Sequence, residues 1–417
     1  MSTVIEDIIA RKVFNSRGEE TIEVDVITNS GFGRASAPAG ASRGKAEVVY
    51  YPQGGVDEAV KKVEELIGPE LVGLNADFQE EIDRNLHEID NTGDFRIIGG
   101  NTAFAVSLAN AEAAANSYGL PLYQYLGGYA AREIPYPLGN VISGGKHAGG
   151  KSPDIQEFLV LPHGAESFFE AAEANVKIHK KIGEFLKEKD RLFSYGRSDE
   201  GAWAANITTL EALEVLVKAC EEVSNEVSFN CSPGVDVAAS TIWNGKSKKY
   251  VYKRDGKELD SGEQLEFILQ LVEKYHLAYV EDPFHEEDYE SFAELTNKVE
   301  NCLVCGDDLF VTNSERLVHG MKMRAANAVI IKVNQVGTLT DALETVETAK
   351  RGGCVPVISH RSGDTCDWHI AHLAVAFKCP IVKTGVVEGA RIAKINELIR
   401  VEEFLGDRAK MAELKIV

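Results

Sequence analysis

The spacing of apolar and polar residues gives the first third of the chain a mixed pattern. Residues 21–27 alternate polar and apolar side chains, which is the pattern of a half-buried strand, and residues 29–31 follow as a hairpin turn. Further segments carry apolar residues at helical spacing, namely 56–66, 78–89 and 102–118. This mixture predicts an antiparallel sheet packed with helices, an α+β unit.

The rest of the chain has a regular pattern. Gly127, Gly128, Pro135 and Pro137 interrupt the helical spacing and predict a boundary that divides the chain into domains 1–133 and 134–417. Beyond it, short apolar runs alternate with helical segments over about 280 residues, the size of an eight-stranded (β/α)8 barrel. The runs are 158–161, 278–280, 302–305, 328–331, 355–358 and 381–382, and the helical segments include 166–186, 264–275, 315–323 and 339–350. A doubly wound sheet is the alternative, but no glycine-rich dinucleotide fingerprint opens any unit.

The charge balance limits the possible partners. The chain has 417 residues, 44% hydrophobic and 26% charged, with 44 basic and 65 acidic side chains, a formal net charge of −21. Such an excess of negative charge argues against nucleic acid and against an anionic membrane surface. The longest apolar stretches fall well short of the ~18 residues that a membrane span needs, and no signal peptide is visible. We therefore expect a cytoplasmic protein.

The cysteine count supports the same compartment. The 7 cysteines are an odd number spread over residues 220–379, which is typical of reduced thiols and not of a disulfide framework. Cys302 and Cys305 form a C-x-x-C pair, but a zinc site needs about four ligands and the sequence has no second pair. We expect both to be core thiols on a buried strand.

Charged residues at the ends of the predicted strands suggest a site. Because a parallel barrel carries its active site at the carboxyl ends of its strands, residues that follow strands should converge there. In chain order they are Glu157 (which precedes its strand), Asp236, Glu281, Asp307, Asp308, Lys332, His360, Arg361, Ser362 and Lys383. Any one of them could be a solvated strand end or a helix cap, whereas the whole series indicates a functional site.

Three of these carboxylates suggest a metal site. Asp236, Glu281 and Asp307 offer only oxygen donors, which suit a hard cation such as Mg²⁺. Lys332 and Lys383 would lie beside the cation, and a lysine near positive charge loses its proton more easily, so each is a candidate general base. The alternative is that both lysines only neutralise the carboxylates in buried ion pairs.

The stretches around these residues resemble the signature motifs of the enolase family. They are EDPFHEED at 281–288, GDDLFVTN at 306–313, KVNQVGTL at 332–339 and SHRSG at 359–363. The resemblance continues over almost the whole chain, at 16–18, 38–44, 140–158, 199–201, 236–240 and 383–385. It implies an α+β N-terminal domain followed by an enolase-type (β/α)8 barrel. It also implies a glycolytic lyase that dehydrates 2-phosphoglycerate to phosphoenolpyruvate.

The resemblance implies two Mg²⁺ ions per active site. The first would bind Asp236, Glu281 and Asp307, and Ser42 would help to bind the second together with the substrate phosphate. It further implies a homodimer or higher homo-oligomer, in which Glu23 and Arg400 match an intersubunit ion pair.

The resemblance also assigns roles to side chains. Lys332 would remove the proton α to the carboxylate, and Glu200, supported by Glu157, would protonate the departing hydroxyl group. The remaining site residues would be His147, Gln156 and His360 in the pocket, Arg361 and Ser362 on the phosphate, and Lys383 on the carboxylate. Because Glu200 would lie close to Glu157, we expect its pKa to be raised, as an acid requires.

Several positions depart from the family pattern near the substrate. Arg43 stands beside Ser42 and is predicted to contact the substrate, while residues 197–203 and 386–391 differ from the family in sequence or length. Other departures are Asn15, Glu20, Thr241 and His372.

These departures leave three interpretations open. The chain is a divergent enolase, or a paralogue that dehydrates a related phosphonate or carboxyphosphono acid, of the carboxyphosphonoenolpyruvate synthase type. In the second case Arg43 would supply an extra donor to a more anionic substrate. A third interpretation, a non-enzymatic scaffold, would not need Lys332, Glu200 and three carboxylates together.

Overall fold

The chain begins with an antiparallel sheet. The computed structural model describes residues 2–41 and 43–414. Its first strands pair in the order β1 (Ile5–Phe14), β2 (Glu20–Thr28) and β3 (Phe32–Ser36). The predicted strand at 21–27 and the hairpin turn after it are therefore confirmed.

Helices cover this sheet. They are α1 (Gly55–Lys62), α2 (Gly68–Leu71), α3 (Gln79–Asp90), α4 (Gly100–Ser117) and α5 (Leu122–Gly127). The helix predicted at 56–66 is interrupted, because after α1 the backbone widens into a π-helical turn at Val63–Ile67. Helix α4 packs directly on β2 and β3. At Gly33 a Cβ atom would lie 2.0 Å from the Ala109 carbonyl oxygen, so only glycine permits this approach.

The remaining elements alternate along the chain. The strands are β4 (Glu133–Ile134), β5 (Tyr136–Ser143), β6 (Glu157–Leu161), β7 (Ser232–Asp236), β8 (Trp243–Asn244), β9 (Lys249–Tyr252), β10 (Lys257–Leu259), β11 (Tyr279–Glu281), β12 (Leu303–Gly306), β13 (Ala328–Ile331), β14 (Val355–Ser359), β15 (Ile381–Gly385) and β16 (Lys410–Met411). The helices are α6 (Gly145–Ala148), α7 (Phe168–Lys189), α8 (Thr209–Val227), α9 (Ser261–Tyr275), α10 (Tyr289–Lys298), α11 (Ser314–Met323), α12 (Leu339–Arg351), α13 (His369–Ala376) and α14 (Gly389–Leu405).

A closed barrel forms the centre of this region, which confirms the predicted fold. Within the described residues its strand order is β11-β12-β13-β14-β15-β5-β6-β7. The barrel differs from a regular (β/α)8 repeat because β6 runs antiparallel to both β5 and β7. This reversal brings Glu157, the first residue of β6, opposite Asp236, the last residue of β7. It explains why Glu157 precedes its strand whereas the other site residues follow theirs.

The barrel strands are apolar on both faces because each face is covered. Leu138, Tyr279 and Cys305 point into the barrel interior, and Cys302 packs with the layer between strands and helices. Both cysteines are buried and free, as predicted for core thiols. In the part of the chain that the structure describes, no helix is long and apolar enough to cross a membrane.

A loop from the N-terminal region reaches the mouth of the barrel. Ala39 and Gly363 exchange backbone hydrogen bonds of 2.7 and 2.8 Å, and the Ala41 amide donates to Ser362 Oγ at 2.7 Å. The chain around the predicted substrate loop is thereby fixed to the carboxyl end of β14. Ser42 itself lies outside the described residues.

Candidate active site

Neighbouring strands place the predicted metal carboxylates at one end of the barrel. Glu281 of β11 is the register partner of Asp236 of β7, and Asp307 directly follows β12. All three side chains are buried. Lys383 of β15 reaches across to them, with Nζ 2.8 Å from Glu281 Oε1 and 3.1 Å from Asp236 Oδ2. The predicted convergence of these residues is therefore observed.

Both candidate lysines form buried ion pairs. Lys332 follows β13 and pairs with Asp307, which also accepts a 2.9 Å hydrogen bond from Gln335 Nε2. Burial acts to lower the pKa of Lys332, but the Asp307 carboxylate outweighs it and the pKa is raised. The carboxylates around Lys383, led by Asp236, likewise raise its pKa despite burial. Each ammonium group thus neutralises adjacent carboxylates, which is the alternative considered for both lysines, and the loss of basicity expected beside a bound cation stays a prediction.

The carboxylates at this end of the barrel outnumber the two lysines, so the ion pairs leave an excess of acidic groups. Burial, with the charge of Asp236 added, raises the pKa of Glu281 to about 7. Asp282, Asp307 and Asp308 form an acidic cluster, in which one oxygen of each carboxylate lies within 4.8 Å of the others. Among the described residues, Asp236, Glu281 and Asp307 do not bring their oxygens as close to one another. An oxygen-only donor set with surplus charge fits a hard divalent cation better than zinc or copper.

The predicted acid, Glu200, lies in a second cluster beside Glu157. The two glutamates and His147 place ligand atoms within 4.8 Å of one another. Asn140 Nδ2 donates to Glu200 Oε2 at 2.9 Å, and His147 Nδ1 donates to Asp199 Oδ1 at 2.8 Å. Burial acts to lower the pKa of His147, but Glu200 and the other carboxylates outweigh it and raise the pKa to about 9.

The raised pKa in this carboxylate pair belongs to a different residue from the one expected. Burial and the neighbouring Glu200 charge raise the pKa of Glu157 well above its ordinary value. Burial acts in the same direction on Glu200, but the positive charge of His147 outweighs it and holds the pKa of Glu200 well below its ordinary value. The prediction of a raised pKa for Glu200 is therefore wrong in this arrangement, since the histidine favours the ionised form of Glu200.

Trp203 explains the altered loop around the acid. Its indole Nε1 donates to the His179 carbonyl at 2.6 Å, and its ring stacks on the His179 ring at 4.4 Å. The Arg197 guanidinium covers the same indole at 5.1 Å. Ser198 Oγ accepts hydrogen bonds from Ser143 Oγ and from the Glu200 amide, at 2.9 and 3.2 Å. The departures at 197–203 thus pack internally and hold Glu200 in place.

The predicted phosphate-binding side chains follow β14. Arg361 pairs with the buried Glu47 at 3.1 Å and donates to Asn334 Oδ1 at 3.0 Å. Ser362 contacts the Ala41 amide as described above. The Arg43 guanidinium lies 3.5 Å from the centre of the Tyr50 ring, and the Arg361 guanidinium lies 5.6 Å from the centre of the same ring. Most of the predicted residues line one pocket, namely His147, Gln156, Glu157, Glu200, Asp236, Asp307, Lys332, His360, Arg361, Ser362 and Lys383.

Arg391 is a residue of this site that the sequence analysis missed. It is 1% exposed, and its Nη1 atom donates to His360 Nδ1 at 3.0 Å. It also donates to the backbone carbonyls of Asp199, Arg361 and Ser362 at 2.9, 2.7 and 2.5 Å. Because a guanidinium only donates, His360 Nδ1 is an acceptor and Nε2 carries the proton, 3.5 Å from Glu200 Oε1. Nothing in the residue spacing indicates this contact, since Arg391 lies in the first turn of α14, 31 residues after His360.

Other departures also have internal partners. His372 Nε2 lies 3.0 Å from Glu397 Oε1, and Thr241 Oγ1 donates to the Ala238 carbonyl at 2.8 Å. Asn15 Oδ1 accepts from the Arg17 and Glu19 amides and so closes the turn after β1. Each replaces a family residue with one that hydrogen-bonds within the chain.

The proposed intersubunit residues have partners inside the chain. Glu23 Oε1 lies 2.7 Å from Arg11 Nη1, and Arg400 Nη1 lies 2.8 Å from Glu397 Oε2. The homodimer stays a prediction.

Comparisons with known proteins cover nearly the whole chain. The family model described as "Enolase, N-terminal domain" matches residues 5–126, and "Enolase, C-terminal TIM barrel domain" matches residues 131–417. The enolase of Methanosphaera stadtmanae is 54% identical over 97% of this chain and 98% of its own. Those of Methanothermobacter thermautotrophicus and Pyrobaculum aerophilum are 52% and 49% identical, each over 99% of this chain and 100% and 99% of their own length. The chain therefore belongs to the enolase family, whose members are hydro-lyases that interconvert 2-phosphoglycerate and phosphoenolpyruvate.

Proposed function

We propose that this chain dehydrates 2-phosphoglycerate with Lys332 as the base and Glu200 as the acid, on opposite sides of the barrel mouth. One observation carries this assignment. Lys332 follows β13 and Glu157 begins β6, and these strands lie four positions apart in the closed eight-strand order. Glu200 lies beside Glu157, and both lysine and glutamate line the same pocket. A substrate between them loses its proton on one face and its hydroxyl group on the other.

The cations of the site bind the substrate. Arg361 binds the phosphate and Lys383 binds the carboxylate by charge-assisted hydrogen bonds, and the neutral Ser362 hydroxyl adds a hydrogen bond to the phosphate. Substrate phosphate competes with the Glu47 carboxylate for Arg361, which now pairs with it at 3.1 Å. Likewise, Lys332 must leave Asp307 and release its own ammonium proton to solvent before its amine can accept the α proton. Binding therefore exchanges internal ion pairs for contacts with the substrate.

The acid side of the pocket delivers a proton to the leaving group. Hydroxide is a poor leaving group, so its departure requires protonation. The buried Glu157–Glu200 pair retains a proton because two carboxylates this close resist full ionisation. Asn140, His147 and His360 orient Glu200 towards the pocket. We assign delivery of the proton to Glu200 and its replenishment to Glu157.

Asp236, Glu281 and Asp307 would hold a first Mg²⁺, and Ser42 would help to hold a second. When bound, Mg²⁺ supplies positive charge beside the substrate carboxylate, where removal of the α proton builds up negative charge. The oxygen-only donor set and the raised pKa of Glu281, due to burial and Asp236, support the first site. We also propose that Arg43 contacts the substrate and that the boundary between the two domains lies between residues 133 and 134. We further propose that the protein is a cytoplasmic homodimer that acts in glycolysis.

The comparisons give no support to the paralogue. The relatives reported above are named enolase. The altered loop at 197–203 packs internally around Trp203, whose indole bonds to and stacks on His179. These contacts favour the ordinary substrate.

A steady-state assay tests the proposal. With 2-phosphoglycerate and Mg²⁺, we expect kcat of about 10 to 10³ s⁻¹, followed by the absorbance of the enol product. Lys332→Ala should abolish turnover, whereas the exposed Lys322→Ala on α11 should leave it unchanged. Activity several thousandfold lower in the unmodified protein, or full activity of Lys332→Ala, would contradict the assignment.

A further inference from the structure

A groove beside the active site concentrates positive charge on an otherwise acidic protein. It has a volume of about 960 Å³ and lies between the 145–154 segment and the strands β8 and β9. The basic residues that line it are Lys146, Lys151, Lys246, Lys253 and Arg254. We call this feature the basic groove.

The charges of the basic groove are available to a ligand. All five basic side chains are exposed, and among the described residues none of them forms an ion pair. The acidic residue of the lining, Asp154, uses its carboxylate within the protein: Oδ2 accepts from the Arg254 and Asp255 amides at 2.8 and 3.0 Å. These two hydrogen bonds also hold the walls of the groove together. The lining thus carries a net charge of +4 on a chain of −21.

The basic groove adjoins the catalytic pocket. Lys146 lines the groove, whereas the next residue, His147, lines the pocket together with Gln156. One segment therefore separates the two spaces, with cations on its outer side and site residues on its inner side. The groove and the catalytic pocket thus share the segment around residues 146 and 147 as a common wall.

An anionic substrate approaches this chain against a net charge of −21. A phosphate monoester carries about −1.5 to −2 charge at neutral pH, and the carboxylate adds one more. Exposed charges act over about 10 Å at 0.1 M ionic strength, and clefts lined by one sign of charge raise association rates roughly 10- to 10³-fold.

We propose that the basic groove is an entry site that collects the anionic phosphoglycerate and passes it to the catalytic pocket. The inference rests on the proposed function for the identity of the ligand. It adds a binding site outside the pocket, made of residues that take no part in the chemistry.

Charge-neutralising variants test the entry site. The triple variant Lys146→Gln, Lys151→Gln, Lys246→Gln should lower kcat/KM for 2-phosphoglycerate about three- to tenfold at low ionic strength while kcat stays within about twofold. Its kcat/KM should also depend less on added salt than that of the unmodified protein. The control removes three exposed lysines of the outer helices α7, α9 and α11: Lys180→Gln, Lys274→Gln, Lys322→Gln. It should change neither quantity.

A binding readout separates this inference from the proposed function. In the unmodified protein, 2-phosphoglycerate should protect Lys146, Lys151 and Lys246 from amine acetylation, measured by mass spectrometry, but not Lys180 or Lys322. Protection without turnover would support the entry site and overturn the proposed function. Normal turnover without protection, an unchanged kcat/KM in the triple variant, or a loss confined to kcat would overturn the entry site.

Discussion

At the scale of single residues, burial makes the protonation state of each ionisable side chain in the site depend on the charges of its neighbours. His147 faces the Glu157–Glu200 pair and Asp199, and it is held charged by them although burial opposes the charge. The sequence identified His147, Glu157 and Glu200 through motif resemblance. It could not show which glutamate keeps the proton, because that depends on the position of the histidine and not on residue type.

His147 should make folding stability depend on pH. Its pKa of about 9 in the folded protein, where carboxylates outweigh burial, exceeds its ordinary value of about 6.5. The folded state therefore binds the proton more tightly, so the stabilisation is complete below pH ~6.5 and is lost as the pH rises through about 9. We expect at most about 3 kcal/mol, measured by urea unfolding in EDTA.

Two variants check this assignment. His147→Gln should flatten the fall in unfolding free energy between pH 6.5 and 9, and the exposed His319→Gln should reproduce the unmodified profile. A His147→Gln profile that is parallel to the unmodified one would show that another group causes the pH dependence.

At the scale of elements, the reversed strand β6 and the 197–203 loop that carries Glu200, here called the acid loop, define the site. The end of β15 packs against the backbone of that loop so closely that a Cβ on Gly385 would lie 2.2 Å from the Glu200 carbonyl oxygen. Apolar runs predicted β6, β13 and β14, since these strands are buried on both faces. They missed β7, because Pro233 and Gly234 interrupt its run, although glycine is needed at 234, where an added Cβ atom would lie 2.9 Å from Tyr279 Cβ.

Gly385→Ala should displace the acid loop. The added methyl group forces the Glu200 backbone away from β15, and a shift of ~1 Å in a catalytic group costs about 10²-fold in rate. We expect kcat to fall by about that factor, with a stability loss of about 1–3 kcal/mol from overpacking. Kinetic assays and denaturant unfolding measure the two effects.

Gly389→Ala, four residues further on, is the matched control. A Cβ there meets no atom within 4 Å, and the position opens α14, so kcat should not change. Equal activity of the two variants would show that the contact between Gly385 and the Glu200 loop does not position the acid.

At the scale of the whole molecule, charge is distributed unevenly. The net charge of −21 argues against polyanionic partners but conceals the cations around the pocket. Long ordered motifs predicted the family, the barrel and most site residues. Pairings between distant segments, such as Arg391 with His360 or Glu47 with Arg361, arise only when the chain folds, and sequence spacing carries no trace of them.

Mg²⁺ should stabilise the folded protein as a whole. A cation that binds only the folded state at 100 times its Kd adds about 2.7 kcal/mol, so Tm should rise by a few degrees relative to EDTA. Glu281→Gln should abolish most of this rise, because it removes a carboxylate of the proposed first site. Glu290→Gln, exposed on α10, should retain it, and an equal rise in both variants would exclude Glu281 as a ligand.

If Lys332 removes the α proton while Glu200 acts separately on the opposite side of the pocket, removal of the proton and loss of the hydroxyl group can be separated by mutation. Solvent exchange of the proton on C2 of 2-phosphoglycerate in D₂O, followed by NMR alongside product formation, tests it most directly. Glu200→Gln should retain exchange while product formation falls by about 10² to 10⁴. Lys332→Ala should lose both, and exchange at the unmodified rate in Lys332→Ala would contradict the account.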